Sequence, residues 1–297
     1  MLATSLMRTF PWAVRVVAFA VPLALPAAAA TPQQEKAVVA RFVDRAADYV
    51  RRYQTELSSV IADERYVQDV RAQTPRNGDT PLETIIESEV FFMFTEGHDW
   101  MTIRDVRLVD GVEPPSRPDL RAALSELPAT QVAARFKAYN SRFNVGRVHR
   151  NFNEPTLSLL VLDDRHRARF DFTRAKARRG DDLARVRLAF RERKAPTLIR
   201  NLNGGPVFTS GEVAMDPATG QVHAIRLELS VGSVKVELET DYAIDPALGI
   251  AVPARFTERY EDGRAPRGGR ARGRYEEITC DATYTNFTRF TVQTRIR

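Results

Sequence analysis

The chain has 297 residues, 43% of them apolar, with 44 basic and 38 acidic side chains and a single cysteine, Cys280. That length suits one large or two small domains. The net charge of +6 over so nearly balanced a set of charges is an arginine bias rather than a nucleic-acid footprint. One cysteine excludes an internal disulfide, so stability must come from an apolar core.

Residues 1–15 carry Arg8 and Arg15 and no acid, Val16 to Leu25 is an apolar run, and Ala28, Ala29 and Ala30 are the small residues that signal peptidase requires. The pattern predicts a signal peptide over 1–30, cleavage near Ala30, and a periplasmic or secreted protein. The apolar run is shorter than the roughly 20 residues a spanning helix needs, so no transmembrane anchor is expected after cleavage. Cys280 lies far from that position and cannot be an acylated first residue.

Thr31-Pro32-Gln33-Gln34 reads as a helix start, with Thr31 as N-cap, proline at the first helical position and glutamine at the third. From Gln33 to about Ile61 the three- and four-residue spacing of Val39, Phe42, Val43, Ala46, Val50, Tyr53, Leu57 and Ile61 makes one apolar stripe, about 45 Å long at 1.5 Å per residue. A sheet or a second helix has to cover it.

Strand patterns follow. Glu64 to Ala72 alternates weakly, Glu87 to Phe94 places Val90, Phe92 and Phe94 on one face, and Trp100 to Val109 ends at an Asp110-Gly111 turn. A proline-rich stretch from Glu113 to Pro118 opens a helical insert at about 114–162. Leu120, Leu124 and Leu127 predict a short helix, Val132, Phe136, Tyr139 and Phe143 a second that stops near Gly146, and Leu157 to Leu162 is a third apolar segment.

Beyond Ala168 the chain alternates as an antiparallel meander: Ala168, Phe170 and Phe172; Val186, Leu188 and Phe190; Ile225, Leu227 and Leu229; Val234, Val236 and Leu238. Asp216 to Gly220, Val231-Gly232-Ser233 and Asp245-Pro246 with Gly249 supply turns. Val252 to Tyr260 is a further strand, and Tyr275 to Tyr284 and Phe287 to Val292 are the last two. The expected fold is α+β: a curved antiparallel sheet, a half-open barrel, packed on the long N-terminal helix, forming a single domain over 31–297.

No catalytic signature accompanies this fold. His98, His149, His166 and His223 have no helical i, i+4 partner or cysteine, so no metal site or cofactor is expected, and there is no G-x-S-x-G, S-x-x-K or P-loop. Asp163-Asp164 and Asp181-Asp182 read as solvated turn residues. Glu258 reads as a strand-end residue reaching water; if Val252, Ala254 and Phe256 face inward, period two turns Glu258 and Tyr260 inward too, where a carboxylate needs a partner or a raised pKa. The basic clusters Arg165 to Arg179 and Arg264 to Arg274 read as solvated hairpin tips, and an exported protein has no nucleic-acid partner.

The stretches Tyr49-Val50 through Glu64-Arg65-Tyr66-Val67-Gln68, Ser141 to Gly146, Pro196 to Arg200 and Ala282 to Phe290 resemble a family of secreted bacterial proteins, a resemblance that carries no activity with it. More loosely, Gly211 to Gly220 and Tyr242 through Gly249 to Pro253 are similar to stretches of the periplasmic lipoprotein-carrier superfamily, whose half-barrels shield acyl chains. Together with the apolar sheet face and the long helix, that resemblance implies an exported noncatalytic protein that binds an apolar ligand, a lipid or acylated protein; strand alternation makes the face of Val90, Phe92, Phe94, Val186, Leu188, Phe190, Ile225 and Leu227 the candidate surface. The alternatives are an envelope protein-protein interaction module with a packed core and, further off, an unrecognised hydrolase. N-terminal sequencing of protein recovered from its own cell should begin at or near Thr31; soluble protein with an intact Met1 would contradict export.

Overall fold

A computed structural model describes residues 31–297 except 75–77, 95–99, 149, 151–153, 177–181, 183, 264–273 and 291–297. The proposed signal peptide therefore lies outside the described residues, as does nearly all of the second basic cluster. Helix α1, Pro32–Leu57, starts at a complete capping box: the Thr31 hydroxyl accepts from Gln34 N–H at 3.3 Å and Gln34 Oε1 accepts from Thr31 N–H at 2.9 Å. It stops earlier than its apolar period implies. Ser58 leaves helical geometry and Ser59 takes φ 68°, after which Ser59 N–H donates to Phe92 O. Ile61 continues the i, i+4 spacing but belongs to a strand, which corrects the expected helix end.

Among the described residues twelve strands follow. β1 (Val60–Thr74), β2 (Gly78–Phe94) and β3 (Trp100–Val109) form a meander; β4 (Phe170–Arg174), β5 (Val186–Glu192), β8 (Ser210–Met215), β9 (Val222–Val231), β10 (Val234–Ile244), β11 (Ala251–Asp262) and β12 (Tyr275–Arg289) complete one ten-stranded antiparallel sheet. Its order is β3-β2-β1-β12-β11-β10-β9-β8-β5-β4, and β6 (Ile199–Arg200) and β7 (Pro206–Val207) make a separate hairpin. β12 replaces the two final strands read from sequence. Asn286 at φ 56° forms a bulge that shifts the β1–β12 register, and the strand continues through Phe287 to Arg289. Ala168 likewise sits in a 3-10 turn, Arg167–Arg169, ahead of β4.

Between β3 and β4 the chain forms α2 (Leu120–Glu126), α3 (Ala129–Asn140) and 3-10 turns at Ser141–Phe143 and Leu157–Leu162. α2 and α3 bury Leu120, Ala123, Val132 and Phe136 against Ile103, Phe91 and Met93, on the opposite face of β2 and β3 from Val90 and Phe92. They blunt what would otherwise be an open edge strand.

The main core lies on the concave face. The sheet curls without closing, so β3 and β4 remain its two ends, and α1 bridges them by packing against β2 on one side and β4 on the other. Tyr53 reaches across this interior: its ring lies 5.8 Å from Trp100 on β3 and meets Tyr242 on β10 edge-on at 6.0 Å. The β8–β9 turn closes on the helix at Gly220 (φ 79°), where any Cβ would stand 2.2 Å from Arg45 O. Residues 157–162 fill the space between α1 and strands β9 and β10, with Leu159, Leu160, Val161 and Leu162 all buried.

The stripe divides into buried and half-buried positions. Leu57 is fully buried and Phe42 only partly so. Leu57→Ala should cost about 2–5 kcal/mol in denaturant unfolding, and Phe42→Ala clearly less. A loss below about 1 kcal/mol at Leu57 would contradict the packing described.

Candidate functional site

Seven of the eight residues expected to hold an apolar ligand, Val90, Phe92, Val186, Leu188, Phe190, Ile225 and Leu227, are buried in one continuous core; Phe94 is partly exposed. The sheet does bring them to one side, because period two on each strand aligns them. They do not line an open groove. The 157–162 segment, which the sequence marks only as a short apolar run, covers the interior together with α1.

Phe94 borders a cavity of about 210 Å³ at the seam between α1 and the segment after residue 162, where Ala47 and Val50 supply the apolar wall and Gln54 and Asp163 the polar rim. Asp163 is buried rather than the solvated turn residue expected. It accepts from Gln54 Nε2 at 2.7 Å and from both the backbone N–H and the Nε of Arg165 at 2.9 Å. Burial alone would push its carboxyl up, but the donors from Arg165 and Gln54 outweigh that and hold it at about 2. Asp164 stays exposed and pairs with Arg51 and Arg167, and Arg167 also reaches Asp44 on α1 at 2.6 Å, so part of the first basic cluster is neutralised against the helix. Trp100 stands 5.6 Å from Phe94 and 5.8 Å from Tyr53. The Tyr53 hydroxyl and the Trp100 indole N–H are both buried without a hydrogen-bond partner.

The other half of the concave face is polar. Even-numbered positions of β1 and β12 point inward, which carries Glu64, Tyr66, Gln68, Glu276, Ile278 and Cys280 inside. Glu258 joins them, buried on β11, so the water-reaching reading is corrected: β11 runs on to Asp262 and pairs on both sides there. Glu258 accepts from Tyr66 OH at 2.8 Å and from Tyr260 OH, and burial pushes its carboxyl up despite those donors. Arg150 donates to Cys280 Sγ at 2.9 Å, to Val145 O at 2.9 Å and to Gln68 Oε1. Arg104 forks onto Glu64 through Nε and Nη2, a fully desolvated pair.

Period two was the signal that could have found Glu64, Gln68 and Glu276, each an even-numbered partner of an apolar neighbour two residues away. Nothing local marks Arg150, which belongs to no helix or strand.

Chemically this interior is a structural network. Burial pushes the Cys280 thiol up to about 12, which leaves it protonated and a poor nucleophile at neutral pH. Among the described residues no three His, Cys, Asp or Glu side chains are grouped to hold a metal ion. His98 and His149 lie outside the described residues. No described helix is long and apolar enough to cross a membrane.

No family model and no curated protein matches the chain. Among solved structures it is similar to a DUF1329 family protein from Desulfovibrio piger (12% identity, 86% of this chain and 95% of that one, TM-score 0.38). It is also similar to a domain assigned to outer membrane lipoprotein sorting in Vibrio parahaemolyticus (7%, 85% and 95%, 0.37) and to a LolA superfamily protein from Nitrosomonas europaea (11%, 87% and 94%, 0.28). Likeness at this level fixes neither ligand nor activity for the present chain.

The Asp163 contacts give a testable acid dependence. A carboxyl held below its unfolded value of 3.8 stabilises the fold fully above that pH and loses its contribution as pH falls toward about 2. Asp163→Asn should therefore remove about 1–2 kcal/mol of the stability lost between those pH values, allowing for solvent screening, as read from urea unfolding of both proteins. Identical acid profiles would show that Asp163 is not held this way.

Proposed function

We propose that the protein is an exported, noncatalytic carrier-type protein of the cell envelope, whose concave sheet face shields an apolar ligand such as an acyl chain or a lipoprotein tail. In this reading Val90, Phe92, Phe94, Val186, Leu188, Phe190, Ile225 and Leu227 form the ligand-facing surface. One observation carries it: the apolar face of an unclosed ten-stranded sheet is covered chiefly by α1 and residues 157–162, with Ile199 and Val207 of the β6–β7 hairpin adding to the same core.

Those pieces occupy the volume an acyl chain would take. The cavity beside Phe94 is the doorway, and at about 210 Å³ it is smaller than the roughly 300 Å³ of a formed ligand pocket, so loading requires the 157–162 segment to move. Behind the doorway, the Tyr53 hydroxyl and Trp100 N–H are donors for an ester or carboxyl oxygen at the head of the chain. The Gln54–Asp163 contact is the latch between α1 and the segment.

The packed interior supports a second reading, an envelope interaction module. With Leu159 to Leu162, Tyr53 and Leu57 all buried, the fold is complete without a ligand. Binding of a fluorescent fatty acid to the delipidated protein separates the two. The carrier reading expects saturable binding with a negative heat-capacity change. It also expects Asp163→Asn to load the probe about fivefold faster or more, because a latch contact worth about 1 kcal/mol is gone. Folded, delipidated protein with no saturable binding across a panel of acyl chains would leave the module.

A further inference from the structure

A second cavity, of about 360 Å³, opens between α3, the concave side of β3 and residues Asn144, Arg150 and Glu154. Its wall includes Arg104, Arg150 and Lys137, with Thr102, Asn140 and Glu154 among them. Lys137 and Glu154 pair across it at 3.5 Å, and Arg104 is matched by Glu64. Arg150 makes no direct ion pair: its guanidinium donates to a thiol, an amide oxygen and a backbone carbonyl, and it feels the Glu258 carboxyl only through space.

Three residues of this wall also carry a buried side-chain atom with no hydrogen-bond partner: Arg150 Nε, Thr102 Oγ1 and Asn140 Oδ1. Such groups are costly when left unmet, and three of them belong to residues of one cavity wall. Their chemistry is complementary to one kind of occupant. Arg150 Nε is a cationic donor. The Thr102 hydroxyl can donate. Asn140 is oriented by its amide nitrogen, which donates to Arg104 O at 2.6 Å, so its free atom is the carbonyl oxygen, an acceptor.

We infer that this cavity binds a small oxyanion, a phosphate or carboxylate, that also carries a hydroxyl donor. The oxyanion accepts from Arg150 Nε and Thr102, the hydroxyl donates to Asn140, and the volume admits a molecule of the size of glycerol phosphate. The three atoms belong to residues that line the cavity. This site is separate from the doorway at Phe94, and it stands or falls independently of the acyl-chain reading.

Titration calorimetry on the full chain tests it with three probes: glycerol 3-phosphate, glycerate, and vesicles of phosphatidylglycerol. Saturable binding of either soluble probe assigns the site to a free metabolite; binding to the vesicles alone assigns it to a lipid headgroup carrying the same chemistry. Thr102→Val and Arg150→Gln should each weaken that binding by about tenfold, the effect of one charge-assisted hydrogen bond. Thr102→Val keeps the side chain's shape and removes an unsatisfied hydroxyl, so its melting temperature without ligand should hold or rise, and it decides the matter if Arg150→Gln does not fold. No saturable binding of any probe, or binding that Thr102→Val leaves unchanged, overturns the inference.

Discussion

The fold depends on covering one apolar sheet face that the sheet itself leaves open. Ten antiparallel strands curl but end at β3 and β4, and no hydrogen-bonded pairing joins those ends. A closed barrel would hide its interior by backbone pairing. Here side chains must do it, and α1 bridges the ends while residues 157–162 fill the middle. Tyr53 is the central contact, touching α1's own Tyr49, β3 through Trp100 and β10 through Tyr242. The cover is held to the strands by packing and by a few side-chain bonds such as Thr240 and Tyr242 to Pro155 O, and not by a ladder.

That difference in bonding divides the interior into two halves with distinct character. Under α1 and the 157–162 segment the face of β5, β8, β9 and β10 is almost wholly aliphatic and aromatic. Across β1, β11 and β12 the same face carries Glu64, Gln68, Glu258 and Glu276, satisfied by Arg104, Arg150, Arg147 and two tyrosines. Removing one partner from such a network leaves a buried charge alone, which costs far more than the pair gains. The polar half is therefore expected to be rigid, while the apolar half is held by packing with few side-chain bonds.

Much of this architecture was legible from sequence. The helix start is written in Thr31 and Gln34, and the alternation of β5, β9, β10 and β11 is strict enough to give both strand and face. The helix end was not legible, because Ile61 falls on the helical period by coincidence and Ser59 takes a left-handed conformation with no glycine to announce it. The hairpin of β6 and β7, two residues a strand, leaves no periodic trace. For the site, period two identified the apolar surface, and it also turned Glu258 inward once β11 was known to run past it. The role of 157–162 as a cover, and the approach of Arg150 to Cys280 130 residues away, are products of tertiary packing that no local pattern encodes.

The central claim is that α1 and residues 157–162 form a cover that opens more readily than the sheet it protects. Native-state hydrogen exchange measures this directly, since it reports the opening free energy of each amide. The account predicts that amides of residues 157–162 and the second half of α1 exchange through openings well below the global unfolding free energy, while those of β9 and β10 exchange only on global unfolding. Equal protection in cover and strands, with all amides released in one cooperative step, would contradict it.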